Sequence, residues 1–450
     1  MGRLFGTDGA RGIANQDLTC ELAMQIGRAS AMVLTRHTKR KPKIIIARDT
    51  RVSGSMLENA LVAGICSVGC NVELLGVLPT PAVAWLVNEY HADAGVMISA
   101  SHNPAEFNGI KLFSDTGYKL SDDIENEIEE LILDHPENIQ LCDPLEIGKV
   151  YTRTSSHLDY IDHLINTIHG DLSGLNIAID CANGAASRTA EILFSQLNVA
   201  PHFLNASPTG TNINQNCGST HMEGLRRYVI SNHCDLGIAF DGDADRCLFM
   251  DENGELVDGD QIMAIVAKYL KDKQRLAEDT VVATVMSNFG MHKFAKDNDI
   301  NLVCTSVGDR YVLEEMLKYG YIIGGEQSGH IIFKEHAQTG DGQLTAIQVL
   351  RIYKKSGLKM SELASVMQKM PQVMEGIKAD AEGKKLLKTD ERIKATIREV
   401  SERLGDEGRV LVRPSGTEPL IRVMLEGSDK EVIAKYCEEI CTVIRERLNQ

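Results

Sequence analysis

No stretch of the 450 residues is long and apolar enough to span a bilayer, and the opening Met1-Gly2-Arg3-Leu4-Phe5-Gly6-Thr7-Asp8 has no apolar signal core. Gly6 also stands where an N-myristoylation motif wants Ser or Thr. The 11 cysteines contain no C-x-x-C pair, so neither a zinc site nor a disulfide framework is written into their spacing. Reduced thiols and a cytoplasmic location are the expectation. Positive charge is short as well: 47 Lys and Arg against 63 Asp and Glu give −16. That balance argues against a nucleic-acid partner or an anionic membrane surface, while leaving room for a local basic pocket around a small phosphorylated ligand. What remains is ordinary globular composition, 43% apolar and 24% charged, in a chain long enough for about three domains.

Ile- and Val-rich runs alternate with helical patterns, beginning with Lys43 to Ala47 and a helix from about Gly54 to Val68. The pattern restarts at Leu175 to Asp180 and again at Thr280 to Val285, which predicts three α/β units of one architecture. Within each, an apolar strand runs into a polar loop, a second strand and then an amphipathic helix. The three loops are Ser99-Ala100-Ser101-His102-Asn103-Pro104, Asp241-Gly242-Asp243-Ala244-Asp245-Arg246 and Gly325-Glu326-Gln327-Ser328-Gly329-His330. Ligands of open α/β sheets gather at the carboxyl ends of strands, so these loops are candidates to meet in one cleft. From about residue 360 the pattern changes to a small α+β unit, with a Pro/Gly loop between Arg409–Val412 and Leu420–Leu425.

Asp241, Asp243 and Asp245 at alternate positions carry the strongest chemical signal. Two like charges about 4 Å apart repel by roughly 4 kcal/mol at an effective dielectric near 20, so three together need a proton, solvent or a cation. Short all-oxygen donors suit magnesium or calcium. An EF-hand loop shares the D-x-D-x-D spacing, with Glu252 at its twelfth position, but Arg246 occupies the sixth position, where that loop turns on Gly.

Ser101 is held on a loop because Asn103-Pro104 blocks a helix. A turn serine is the commoner role, and spacing alone does not separate Ser101 from Ser99. No G-x-S-x-G elbow is present, and nothing local makes His102 a general base. A hydroxyl that carries a phosphoryl group beside a metal held by the Asp cluster would use both features. In the C-terminal loop, Arg413, Ser415, Gly416, Thr417 and Arg422 read as a monophosphate cradle, or else as a solvated hairpin; no Walker A pattern occurs there. Glu326, Ser328 and His330 offer a carboxylate, a hydroxyl and an imidazole suited to a polyhydroxylated ligand. Arg11, in the Gly-rich Gly6 to Gly12 segment, is available to an anion.

With GTDGARG, SASHNP followed by NGIK, DGDADR, GEQSGH and RPSGTEP in this order, the whole chain resembles the α-D-phosphohexomutases, and among them the phosphoglucosamine mutases. The resemblance implies three similar mixed-sheet α/β domains plus a smaller C-terminal α+β domain around one central cleft. Their expected spans are 1–152 with the phosphoserine, 153–255 with the metal, 256–365 with the sugar loop and 366–450 with the phosphate loop. It implies Ser101 as the phosphorylated serine and, with Asp241, Asp243 and Asp245, as a ligand of one Mg²⁺. Arg11, Lys111 and His330 match groups for proton transfer and charge stabilisation. His102, Arg246, Glu326, Ser328, Arg413, Ser415, Gly416, Thr417 and Arg422 match substrate contacts. The implied reaction interconverts glucosamine 6-phosphate and glucosamine 1-phosphate through a bisphosphorylated sugar, feeding UDP-N-acetylglucosamine synthesis, with a sugar bisphosphate as activator and a homodimer as assembly. Ala244 departs from the family, which often has Gly there. The competing expectations are a mannose or glucose phosphate mutase of the same superfamily, a metal-dependent sugar phosphatase and a non-catalytic sugar-phosphate sensor.

Overall fold

A computed structural model describes residues 2–6, 8–415 and 419–448. The first sheet is built from β1 (Ala10–Ile13), β2 (Lys43–Arg48), β3 (Asn71–Val77), β4 (Ala94–Ile98), β5 (Phe107–Phe113) and β6 (Val150–Thr152), in the order β1-β5-β4-β2-β3-β6. The second holds β7 (Ile177–Asp180), β8 (His202–Leu204), β9 (Leu236–Phe240), β10 (Cys247–Met250) and β11 (Leu256–Val257), in the order β11-β10-β9-β7-β8. The third holds β12 (Thr280–Thr284), β13 (Asn301–Thr305), β14 (Ile323–Gly325) and β15 (Ile331–Phe333), in the order β13-β12-β14-β15. Three antiparallel strands, β16 (Gln372–Lys378), β17 (Gly408–Pro414) and β18 (Leu420–Gly427), form the fourth.

The expected repeat is present in the first three sheets. Each has a parallel core whose last strand pairs antiparallel with the next strand in sequence: β4 with β5, β9 with β10, and β14 with β15; in the first two sheets a further antiparallel strand, β1 or β11, extends that edge. The polar loops are the connections of those pairs. Central strands such as β2 and β9 are buried along their length, as unbroken runs of Ile, Leu and Ala require when helices cover both faces. The following helices begin where the sequence offers a cap. Asp258 accepts from Gln261 N at 3.2 Å to start Gly259–Asp272, and Asp341 accepts from Leu344 N at 2.9 Å to start Gly342–Ser356. Ser121 occupies the N-cap position of Asp122–Leu133, but its side chain makes no capping bond.

The chain divides into two compact units, 1–286 with 300–366, and 287–299 with 367–450. The helix Phe289–Asp297 therefore groups with the C-terminal sheet and not with the third sheet that flanks it in sequence. Asn288 is the reason: its Oδ1 accepts from Gly290 N and Met370 N, while its Nδ2 donates to Met370 O and Glu426 Oε1, all within 3.0 Å. In the same unit, Ile393, Val400, Ile421, Val423, Ile440 and Ile444 pack the sheet against its helices. Among the described residues no helix is long and apolar enough to cross a membrane.

Two predictions follow from how the backbone is held. Glu129 is 2% exposed and accepts from the amides of Arg3, Leu4 and Phe5 at 2.7 to 2.8 Å, which ties the N-terminal segment to the helix Asp122–Leu133. Burial pushes its carboxyl up, but these three amides and Arg3 outweigh it and hold the group below its ordinary value. Because the folded pKa is depressed, the stabilisation is present above the unfolded carboxylate range and is lost as pH falls through the folded value. Glu129→Gln should destabilise the fold by about 1–3 kcal/mol at pH 7, and the gap to wild type in urea unfolding should close in acid. Ala244 lies at φ 55° and is fully buried. Replacing it with Gly relieves roughly 1–2 kcal/mol of left-handed backbone energy, but adds about 0.5–1 kcal/mol of chain entropy and forfeits about 0.8 kcal/mol of methyl burial. Ala244→Gly should leave the urea midpoint nearly unchanged, which is why the methyl is tolerated.

Candidate active site

Ser101 sits three residues past β4 with φ 51°, a conformation a non-glycine residue keeps only when its surroundings fix it. Arg51 fixes it. This fully buried guanidinium donates to the carbonyls of Ser101, Asn103 and Pro104, and Asn214 Nδ2 donates to two of the same carbonyls, at 2.8 Å to Ser101 O and 3.0 Å to Asn103 O. Asp49, just past the carboxyl end of β2, accepts from Arg51 Nε at 2.9 Å and from Ser99 Oγ at 2.6 Å. Ser99 also accepts from Ser101 N at 3.0 Å. The two serines thereby separate: Ser99 is consumed by the scaffold, while Ser101 Oγ donates to Asp241 Oδ2 at 2.6 Å.

The acidic loop reaches Ser101 because Gly242 has no side chain; a Cβ there would lie 2.5 Å from Ser101 O. Asp241, Asp243 and Asp245 are buried, and each offers an oxygen within 4.8 Å of the others. Lys111, 2% exposed on β5, donates to Asp243 Oδ2 at 2.6 Å and lies 3.6 Å from Asp245 Oδ2. Thr80 Oγ1 donates to Asp243 as well. Some of the positive charge that the triplet demands is thus supplied by the chain. It does not satisfy the cluster, for Asp243 Oδ1 and Asp245 Oδ1 are buried with no hydrogen-bond partner among the described residues. Burial, then Asp245 and Asp243, push Asp241 far above the ordinary carboxyl range. Burial also raises Asp245, but Lys111, His330 and Arg246 outweigh it and hold that group low. Orphaned oxygens in an all-carboxylate set fit a hard divalent cation. The EF-hand alternative fails: β10 follows directly, and Glu252 is turned away to Ser361, accepting from its Oγ at 2.6 Å and its N at 3.2 Å.

Around this core the structure assembles most of the residues singled out in the sequence. His102 Nδ1 accepts from Arg246 Nη1 at 3.2 Å and lies 3.3 Å from Ser101 Oγ. Burial, then Arg246 and Arg11, push its pKa down to about 4, so the ring is neutral at pH 7. His330 is 3% exposed, with Nδ1 3.6 Å from Asp245 Oδ2 and Nε2 3.3 Å from Asp309 Oδ2. Its Nε2 also faces the Gly340 amide at 3.0 Å. That nitrogen accepts from Gly340 in the neutral ring and turns donor toward Asp309 in the charged one. Burial disfavours the charged ring, yet Asp245 and Asp309 outweigh it and raise the pKa. Glu326 Oε1 accepts from Gly308 N at 3.2 Å, and burial raises its pKa despite His330 and Arg246. Ser328 Oγ is buried without a hydrogen-bond partner among the described residues. Arg11 Nη2 reaches Asp8 Oδ2 at 3.2 Å.

The C-terminal loop belongs to the second unit. Arg413 on β17 is registered directly opposite Arg422 on β18, and burial, then Arg422, lower the Arg413 pKa. Two guanidinium groups placed across one antiparallel pair suit an anion between them. Ser415 is 5% exposed; its N donates to Leu420 O at 2.8 Å and its carbonyl accepts from Lys384 Nζ at 2.7 Å. Gly416 and Thr417 lie outside the described residues. Sequence reasoning missed Asp49, Arg51, Thr80, Asn214, Asp8, Lys119, Asp309 and Lys384. Asp49 had a signal, since it follows the buried strand β2 as Asp241 follows β9, and Asp8 stood in the Gly6 to Gly12 segment already singled out; the others had none.

The chain matches four family descriptions in order. These are phosphoglucomutase/phosphomannomutase alpha/beta/alpha domain I over residues 2–138, domain II over 157–254, domain III over 258–370 and the C-terminal domain over 376–443. It is 55% identical over 448 residues to a phosphoglucosamine mutase of Acetivibrio thermocellus and 54% identical over 449 residues to one of Ruminiclostridium cellulolyticum, covering 100% of both chains in each case. The fold is similar to that of a phosphoglucomutase/phosphomannomutase family protein of Burkholderia thailandensis, with TM-score 0.84 at 21% identity over 98% of this chain and 97% of that one. It is also similar to an Aspergillus fumigatus N-acetylphosphoglucosamine mutase solved with GlcNAc-6P and magnesium, with TM-score 0.72 at 17% identity over 99% and 96%. A serine hydroxyl against a buried carboxylate triplet, on sheets that recur three times, goes with these matches: the chain belongs to the phosphoglucomutase/phosphomannomutase family.

Proposed function

We propose that this chain is an isomerase that interconverts glucosamine 6-phosphate and glucosamine 1-phosphate by moving a phosphoryl group through Ser101. The observation that carries the reading is the 2.6 Å contact of Ser101 Oγ with Asp241 inside the triplet, in a chain whose full-length relatives are named phosphoglucosamine mutase. Phosphorylated Ser101 gives its group to the free sugar hydroxyl, a 1,6-bisphosphate forms, and after it turns over the other phosphate returns to Ser101. Asp241, Asp243 and Asp245 would hold one Mg²⁺ together with the serine phosphate. When bound, it offsets charge on the phosphoryl oxygens and the serine leaving oxygen.

The chain's own groups divide the remaining work. Arg51 and Asn214 keep the serine loop rigid, so Ser101 Oγ is presented in one position. Lys111 and Arg246 bring fixed positive charge to the transferring group, Arg11 meets the anionic substrate, and His330 holds or releases a proton at Nε2. Glu326 and Ser328 bind sugar hydroxyls. Arg413, Ser415, Gly416, Thr417 and Arg422 are read as contacts to a substrate phosphate, and His102 as a further substrate contact. We further read the four spans 1–152, 153–255, 256–365 and 366–450 as the domains carrying these parts, in a cytoplasmic homodimer activated by a sugar bisphosphate.

Ser101→Ala should lower kcat by about a thousand-fold or more while circular dichroism stays unchanged; ordinary steady-state turnover by that variant would remove the assignment. Side-by-side kcat/KM values should favour glucosamine phosphate over glucose and mannose phosphates, with isomer and not inorganic phosphate as product. Chelation should abolish turnover and added Mg²⁺ restore it. Asp243→Asn should weaken Mg²⁺ binding in calorimetry by roughly ten-fold or more, since it removes a full ligand charge.

A further inference from the structure

Lys119 follows β5 and belongs to none of the motif loops, yet it occupies the junction of two of them. Its Nζ donates to Asp8 Oδ1 and to Asp309 Oδ2, at 2.7 Å each, and its side chain is 14% exposed. Asp8 lies in the Gly-rich segment before β1, and Asp309 opens the helix Asp309–Tyr319 next to the third sheet. Each carboxylate has a second partner at the site. Asp8 Oδ2 receives Arg11 Nη2 at 3.2 Å, and Asp309 Oδ2 lies 3.3 Å from His330 Nε2. One ammonium therefore joins two carboxylates, and each of those faces a different group on the reacting centre.

We propose that Lys119 is a positioning residue for phosphoryl transfer, which holds Arg11 and His330 in register through the clasp Asp8–Lys119–Asp309. The inference rests on the reading that the reaction takes place at Ser101. Burial works against the charged lysine, but Asp309 and Asp8 outweigh it and raise its pKa, so the clasp stays charged. On the other side, burial raises Asp8, while Lys119, Lys111 and Arg11 outweigh it and hold its carboxyl well below the ordinary range. Without Lys119 two half-buried carboxylates would face each other with no counter-charge between them. Asp8 would then draw Arg11 closer, and Asp309 would swing away from the imidazole. Neither move breaks a strand or a core contact, so the consequence is a misaligned site and not an unfolded one.

A plain strut from the same helix supplies the control. Arg310, next to Asp309, pairs with Asp122 and with Glu314 and touches neither Arg11 nor His330. If Lys119 merely joined two parts of the chain, Arg310→Met and Lys119→Met would behave alike.

The test measures kcat and KM for glucosamine 1-phosphate in the full-length protein carrying Lys119→Met, Lys119→Arg, Asp309→Asn or Arg310→Met, with thermal midpoints alongside. Lys119→Met should lose about 10- to 100-fold in kcat, the scale of a misplacement near 1 Å, with KM within about three-fold of wild type. Lys119→Arg should recover most of it, and Arg310→Met should keep wild-type kcat. If Lys119→Met lowers the midpoint too far to assay, Asp309→Asn carries the question, because it keeps the Lys119–Asp8 pair and should show the same fall in kcat. Wild-type kcat in Lys119→Met, a loss confined to KM, no recovery in Lys119→Arg, or an equal loss in Arg310→Met would each overturn the proposal. None of these would touch the assignment of Ser101, which fails only if Ser101→Ala turns over normally.

Discussion

Three carboxylates buried within 4.8 Å of one another repel too strongly to stand alone, and much of the first unit is arranged around that fact. Lys111 comes in from β5 against Asp243 and Asp245, while Arg246 from the end of the acidic loop and His330 from the third sheet both face Asp245. Among the described residues two of the carboxylate oxygens lack a partner. A divalent cation would complete the set, and the Ser101 hydroxyl lies against Asp241, where a phosphoryl group would bring further negative charge. The electrostatics that make three bare carboxylates expensive would favour a cation and a phosphate together.

Rigidity comes from a layer below the chemistry. Arg51 and Asp49 are fully buried, and between them they anchor the carbonyls of the serine loop and occupy Ser99. Gly242 lets two loops touch, and Gly340 admits the His330 ring, where any Cβ would lie 2.4 Å from it. Because three sheets repeat one wiring, each contributes a loop from the same structural place, the connection between a parallel strand and its antiparallel neighbour. The site is thus assembled from copies of one solution to the problem of exposing polar residues at the end of a buried strand.

The sequence was most legible where residues act locally. Apolar strands ending in clusters of Asp, Ser or Gly marked the three loops of the first unit, and the D-x-D-x-D spacing called for a proton, solvent or a cation among the carboxylates. It was silent wherever charge is balanced across long separations. Nothing around Lys119 or Asp309 announces that they meet, because their pairing depends on how one α/β unit packs on another. Spacing also left Ser99 and Ser101 level; the Asp49 carboxylate, fifty residues earlier, separates them. The helix Phe289–Asp297 reads as part of the third repeat, but the side chain of Asn288 binds it to the C-terminal unit, a preference that no periodicity encodes.

The account turns on Ser101 Oγ as the atom that stores and returns the phosphoryl group. Incubation of the purified protein with glucose 1,6-bisphosphate and Mg²⁺, followed by intact-mass analysis and peptide mapping, tests this most directly. One phosphoryl group on Ser101, passed to the sugar when glucosamine 6-phosphate is added and replaced from it, so that a labelled group exchanges into the sugar phosphates, is the predicted result. A group mapped to Ser99 or elsewhere, or a protein that never takes one up, would contradict it.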